Sequence, residues 1–99
     1  MTGQSITLAD FYMACEKFFP EHDIVFSKCL YRVLGGEIHF TDCLVNGKLV
    51  LRYCPHSNYD CPNHIVLFSS HLEEPMELWL DIDVTVILQN MKEQYGDIC

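Results

Sequence analysis

Asn46-Gly47 is the residue pair that most narrows what this chain can become. Both residues accept positive φ at low cost, and a two-residue type I′ turn demands positive φ at both central positions. Alternating segments flank the pair, Glu37 to Val45 before it and Lys48 to Cys54 after it, so the local sequence predicts a β-hairpin. A two-residue loop also sets the register: Val45 falls opposite Lys48, Cys43 opposite Val50, Thr41 opposite Arg52 and His39 opposite Cys54. In that register Ile38, Phe40, Leu44, Leu49, Leu51 and Tyr53 form the core side. His39, Cys43, Val45, Val50 and Cys54 then share the outer side, an arrangement that holds only without a β-bulge.

The rest of the chain supplies companions for this hairpin. Leu8, Phe11, Tyr12, Cys15, Phe18 and Phe19 recur at helical spacing, so an amphipathic helix is expected over about 8–19. Thr7 with Asp10 makes a variant capping box at its start, Ile6 can staple onto Phe11, and Pro20 stops it. Cys15 lies on the apolar stripe and is expected to be a buried thiol. Ile24 to Leu34 reads as one bent strand or two short ones, closed by Gly35-Gly36. Further strands are expected over about 64–69, which would pair back onto 48–54, and over about 77–82, where Glu77 to Ile82 alternates strictly. The period then changes. Val84, Ile87, Leu88, Met91 and Tyr95 follow helical spacing, with Asp81 or Asp83 to cap and Gly96 to terminate, so a closing helix is expected over about 84–95. Ile82, Val84, Thr85 and Val86 are β-branched and could instead prolong the strand.

These elements predict an α+β fold: an N-terminal helix, an antiparallel four- or five-stranded meander with strands near 24–34, 37–45, 48–54, 64–69 and 77–82, and a C-terminal helix. At 99 residues the expectation is a two-layer single domain over 1–99 with one modest core. No apolar run approaches the roughly 20 residues of a membrane-spanning helix, which argues against a membrane partner. The start, Met1 to Ser5, lacks the basic and apolar regions of a secretory signal, so an intracellular, reducing setting, cytoplasm or nucleus, is expected. There the six cysteines are thiols or metal ligands in preference to a disulfide framework.

Charge limits the partners. Fourteen acids stand against six bases, for a net charge of −8, and Lys17, Lys28, Arg32, Lys48, Arg52 and Lys92 are scattered singly. Direct binding of nucleic acid needs clustered cations, so it is not expected. The acids do cluster, with Glu73, Glu74, Glu77 and Asp81 surrounding Trp79. On a strictly alternating strand Trp79 points with these acids and away from Leu78 and Leu80, which makes this stretch the expected protein-binding surface, toward a basic partner. A plain solvated face is the competing explanation of such a charge run, and a covered second sheet face the competing explanation of Trp79. Edge strands, with Val45 and Val50 on the outer face, also suggest a homodimer.

One local segment carries metal chemistry. Cys54, His56, Cys61 and His64 place two thiols and two imidazoles within a C-x-H-x4-C-x2-H run, a set that can converge tetrahedrally on Zn²⁺ as a structural clip. The hairpin register adds His39 as a fifth candidate ligand opposite Cys54. An ordinary surface loop shaped by Pro55, Asn58, Asp60, Pro62 and Asn63, or a disulfide between Cys54 and Cys61, would explain the same residues without metal. Cys61 with His64, or Cys54 with His39, would give an enzyme a thiolate–imidazolium pair, but no phosphate loop, nucleophile elbow or H-E-x-x-H motif accompanies them. The expected function is therefore a small acidic interaction or regulatory module, of a size that suits a viral or other host-directed accessory protein. Mimicry of a nucleic acid on a basic protein surface, and a small Cys/His-dependent enzyme, are the alternatives.

Overall fold

A computed structural model describes residues 6–55 and 63–98 of the chain. In chain order the elements are α1 (Leu8–Phe18), β1 (Ile24–Val33), β2 (Gly36–Val45), β3 (Lys48–Cys54), β4 (His64–Leu67), β5 (Met76–Leu78) and α2 (Asp81–Tyr95). All neighbouring strands are antiparallel and the sheet order is β1-β2-β3-β4-β5, the expected meander. Among the described residues no helix is long and apolar enough to cross a membrane.

Local chemistry sets the element ends. The Thr7 hydroxyl accepts from the Asp10 N–H at 3.1 Å while the Asp10 carboxylate accepts from the Thr7 N–H at 3.0 Å, so the capping box forms in both directions. Asn46 and Gly47 take φ of 54° and 83°, the expected type I′ signature. Gly96 takes φ of 75° beyond α2 and returns its N–H to the Lys92 carbonyl at 2.9 Å.

Both helices cover one face of the sheet. Phe11, Cys15, Phe18, Val84, Leu88 and Met91 pack onto Cys43, Val45, Leu51, Tyr53, Ile65, Leu67 and Leu78. Phe11 is the aromatic centre, with ring centroids 5.8 Å from Tyr53 and 6.0 Å from Phe26, and it is fully buried. The Tyr53 hydroxyl spans the layers and donates to the Ile6 carbonyl at 3.0 Å, which pins the chain entering α1 onto β3.

This packing corrects the hairpin's predicted faces. Val45 lies opposite Lys48 and Leu44 opposite Leu49 as expected, but the register shifts between Cys43 and Leu44, so that Cys43 faces Leu51, Asp42 faces Arg52 and Thr41 faces Tyr53. Val50 is the extra residue of a β-bulge, and its carbonyl accepts from the Phe68 N–H at 2.7 Å. One inserted residue reverses the parity of everything beyond it. Cys43, Val45 and Val50 are therefore buried beneath the helices, while Phe40 and Leu44 lie on the opposite face, which neither helix covers. Val45 and Val50 are not an outer surface for pairing between copies.

The second difference lies at the sheet's end. β5 stops at Leu78, and α2 begins at Asp81 with Leu80 as N-cap and no side-chain capping bond. The strict alternation through Ile82 yields because Val84, Leu88 and Met91 bury one helical face against the core, and tertiary burial outweighs the β-branched propensity of the segment. Asp83 then sits in the first turn, where an acid complements the helix dipole.

Candidate functional site

The uncovered face of the sheet collects the side chains that alternate away from the helices, and its chemistry divides into two groups. The first lies between β3, β4 and the end of β5. Cys54 is directly opposite His64 in the β3–β4 ladder, and both are buried, at 5% and 7% exposure. Burial pushes the Cys54 thiol up to about 11, so at neutral pH it is a protonated thiol and not a ready nucleophile. The His64 ring stacks on Trp79, with centroids 4.2 Å apart and planes 29° from parallel. Trp79 follows β5 and remains 37% exposed; Glu77, two residues before it, is exposed, while Glu73 and Glu74, also exposed, lie at the other end of β5 beside Lys48 and Leu49. Glu77 pairs with Val66 on the same uncovered face, since its neighbour Leu78 is buried opposite Ile65 on the helical side.

Of the expected zinc ligands, Cys54 and His64 are thus brought together by the ladder, whereas His56 and Cys61 lie outside the described residues. His39 does not join them. It pairs with Leu30 of β1, two residues from Thr41 and hence on the same face as Tyr53, which leaves Cys54 on the opposite face. The cause is the Val50 bulge. The His39 side chain is 69% exposed and lies 3.7 Å from Glu37, so the predicted Cys54–His39 pair is not formed, either as ligands or as a catalytic couple. Among the described residues no group of three or more His, Cys, Asp or Glu is placed to hold a metal ion.

The second group was not anticipated. Arg52 Nε and Nη2 donate to the two Asp42 carboxylate oxygens at 2.7 and 3.0 Å, a bidentate pair between directly opposed residues. The Asp42 side chain is 8% exposed and that of Arg52 23%. The Cys29 thiol donates to Asp42 Oδ2 at 3.4 Å, and that hydrogen bond raises the thiol's pKa, with burial adding to it. Hydrogen bonding to Asp42 likewise raises the Arg52 pKa, so the guanidinium stays charged. The guanidinium lies over Phe40 and Phe68, at 5.2 and 5.8 Å from the ring centroids, and Phe40 meets Tyr31 edge-on at 5.1 Å. The uncovered face is therefore organised by a neutral ion pair clad in aromatic rings. Its only sequence signal is an acid and an arginine at near-equal distance from the Asn46-Gly47 turn.

No family model, curated protein or solved structure matches this chain.

Proposed function

We propose that this chain is a small acidic protein-interaction module, working inside the cell, that engages a partner through Trp79 and the acids Glu73, Glu74, Glu77 and Asp81. The His64–Trp79 stack carries the reading: it holds a partly exposed indole at a fixed position on the margin of an uncovered sheet face. A large aromatic ring held in place loses little conformational entropy on binding, which is why tryptophan so often anchors interfaces. The acids of this stretch, in a chain of net charge −8, suit a basic protein surface, and like-charge repulsion disfavours nucleic acid. A Trp79→Ala protein is expected to retain cooperative unfolding yet capture the wild-type partner at least about tenfold more weakly, as loss of an interface anchor implies. A stable Trp79→Ala variant that captures the same proteins equally well would sink the assignment.

The opposition of Cys54 and His64 supports a second element, a structural zinc ion. With His56 and Cys61 completing the set, the metal would tie the β3–β4 connection into a closed four-ligand clip, leaving no open position for a reacting water. Protein purified without a polyhistidine tag is expected to contain close to one zinc per chain, and chelation is expected to lower its melting temperature. Zinc far below stoichiometry, with melting indifferent to chelator, rules the clip out.

A further inference from the structure

The two edges of the sheet are unlike. β5 presents three residues, Met76–Leu78, whereas β1 presents ten, Ile24–Val33, with no proline and no bulge in its pairing to β2. Asn46 N–H donates to the Asp23 carbonyl at 2.8 Å, which continues the β1–β2 ladder one pair beyond Ile24 and Val45. Hydrogen-bonded and non-hydrogen-bonded pairs alternate along an antiparallel ladder. Odd-numbered residues of β1 therefore turn their backbone groups toward β2, and Ile24, Phe26, Lys28, Leu30 and Arg32 turn theirs outward, a row of donors and acceptors open to another strand.

Two further features mark this edge. β3 pairs with β2 only from Thr41 to Val45, so residues 29–40 project as a two-stranded ribbon roughly 17 Å long at 3.3–3.4 Å per residue. Two-stranded ribbons are marginal in water, and a third strand stabilises them. The edge is also cationic in an anionic protein: β1 contains Lys28 and Arg32 and no acid, while the chain carries −8 overall. Lys28 and Arg32 share one face with Leu30, which is 49% exposed, and the other face offers Val25 and Tyr31, 53% and 48% exposed. Arg32 has Glu37 at 3.9 Å, with its own side chain 85% exposed; among the described residues Lys28 makes no ion pair.

We propose that β1 receives, as a sixth strand, an extended segment of a partner protein in which acidic residues alternate with apolar ones. Main-chain hydrogen bonds to the outward row supply affinity, and the alternation supplies selectivity: acids against Lys28 and Arg32 on one face, apolar groups against Val25 and Tyr31 on the other. A second copy of the chain fits less well. Two-fold antiparallel pairing of β1 with itself about Leu30 sets Lys28 against Arg32 of the copy, like charge against like, and two chains of −8 repel. This edge lies across the sheet from Trp79, so the proposal stands or falls apart from the one above.

The test uses two fluorescein-labelled peptides, one alternating glutamate with valine and one alternating lysine with valine, titrated by anisotropy with the intact protein. Saturable binding of the glutamate peptide is expected, at least about tenfold tighter than that of the lysine peptide and weakened at about 1 M salt, where the screening length falls to roughly 3 Å. The double charge reversal Lys28→Glu with Arg32→Glu should invert the preference. Leu30→Pro, which removes an outward N–H on an edge strand that tolerates proline, should abolish binding of both while unfolding stays cooperative. Equal binding of the two peptides, no binding of either, or an unchanged preference in the charge-reversed protein overturns the proposal. So does a concentration-dependent dimer that Leu30→Pro dissolves.

Discussion

Arg52→Met is expected to cost about 3 kcal/mol of folding free energy, far more than its place on an uncovered sheet face suggests. The substitution leaves the Asp42 carboxylate buried with only the Cys29 thiol at 3.4 Å, and stranding one member of a buried ion pair typically costs about 3–5 kcal/mol. The lower end applies because Arg52 is itself partly exposed and water can reach its former position. Asp42→Leu should cost less, about 2 kcal/mol, since the guanidinium can swing outward along its own stem. The double substitution Asp42→Leu with Arg52→Met should cost under about 1 kcal/mol, because a buried pair exchanged for packed apolar groups is often near neutral. The cycle therefore predicts strong coupling, read from urea midpoints at constant slope. The Arg52→Met deficit should also shrink as pH falls. An unpaired buried carboxyl has a folded-state pKa above its unfolded one, so its penalty is absent when both states are protonated and grows as pH rises through that interval. Additive single effects, or a deficit that widens in acid, would contradict this account of the pair.

Phe11→Ala should be costlier still, at about 3–5 kcal/mol. Its ring is fully buried and touches Tyr12, Phe26 and Tyr53, so truncation leaves a cavity where α1 meets the sheet, and aromatic neighbours collapse poorly into such a space. Domains of this size hold only about 5–15 kcal/mol in total, so the variant is expected at the edge of unfolding at 37 °C. A melting temperature within a few degrees of wild type would mean that α1 does not rest on this contact.

The element order was legible because each element carries its own local signal. Thr7 with Asp10, Asn46-Gly47 and Gly96 work through their own backbone, and nothing distant overrides them. Face assignment was not legible. Leu49-Val50-Leu51 is uniformly apolar, so no glycine, proline or polar residue announces that one of the three is an insertion in the ladder. That single bulge moved Cys43 and Val45 into the core, brought Phe40 out, and separated His39 from Cys54. The boundary between β5 and α2 failed for a related reason, since Ile82 to Val86 suits either state locally and burial of Val84 and Leu88 decides. The Cys54–His64 opposition followed from a simple meander and was readable to that extent. The His64–Trp79 stack and the Asp42–Arg52 pair were not, because each depends on how neighbouring strands lie side by side, which no single segment encodes.

Trp79 is the only tryptophan in the chain, so its emission reports on the proposed contact surface without interference. The decisive measurement is a titration with the captured partner, bringing its own binding curve by calorimetry, while Trp79 fluorescence and its quenching by acrylamide are recorded with the partner's signal subtracted. A blue-shifted emission and reduced quenching that saturate on the calorimetric curve are expected, as the exposed part of the indole leaves water. Saturable binding with Trp79 emission and quenching unchanged would contradict it.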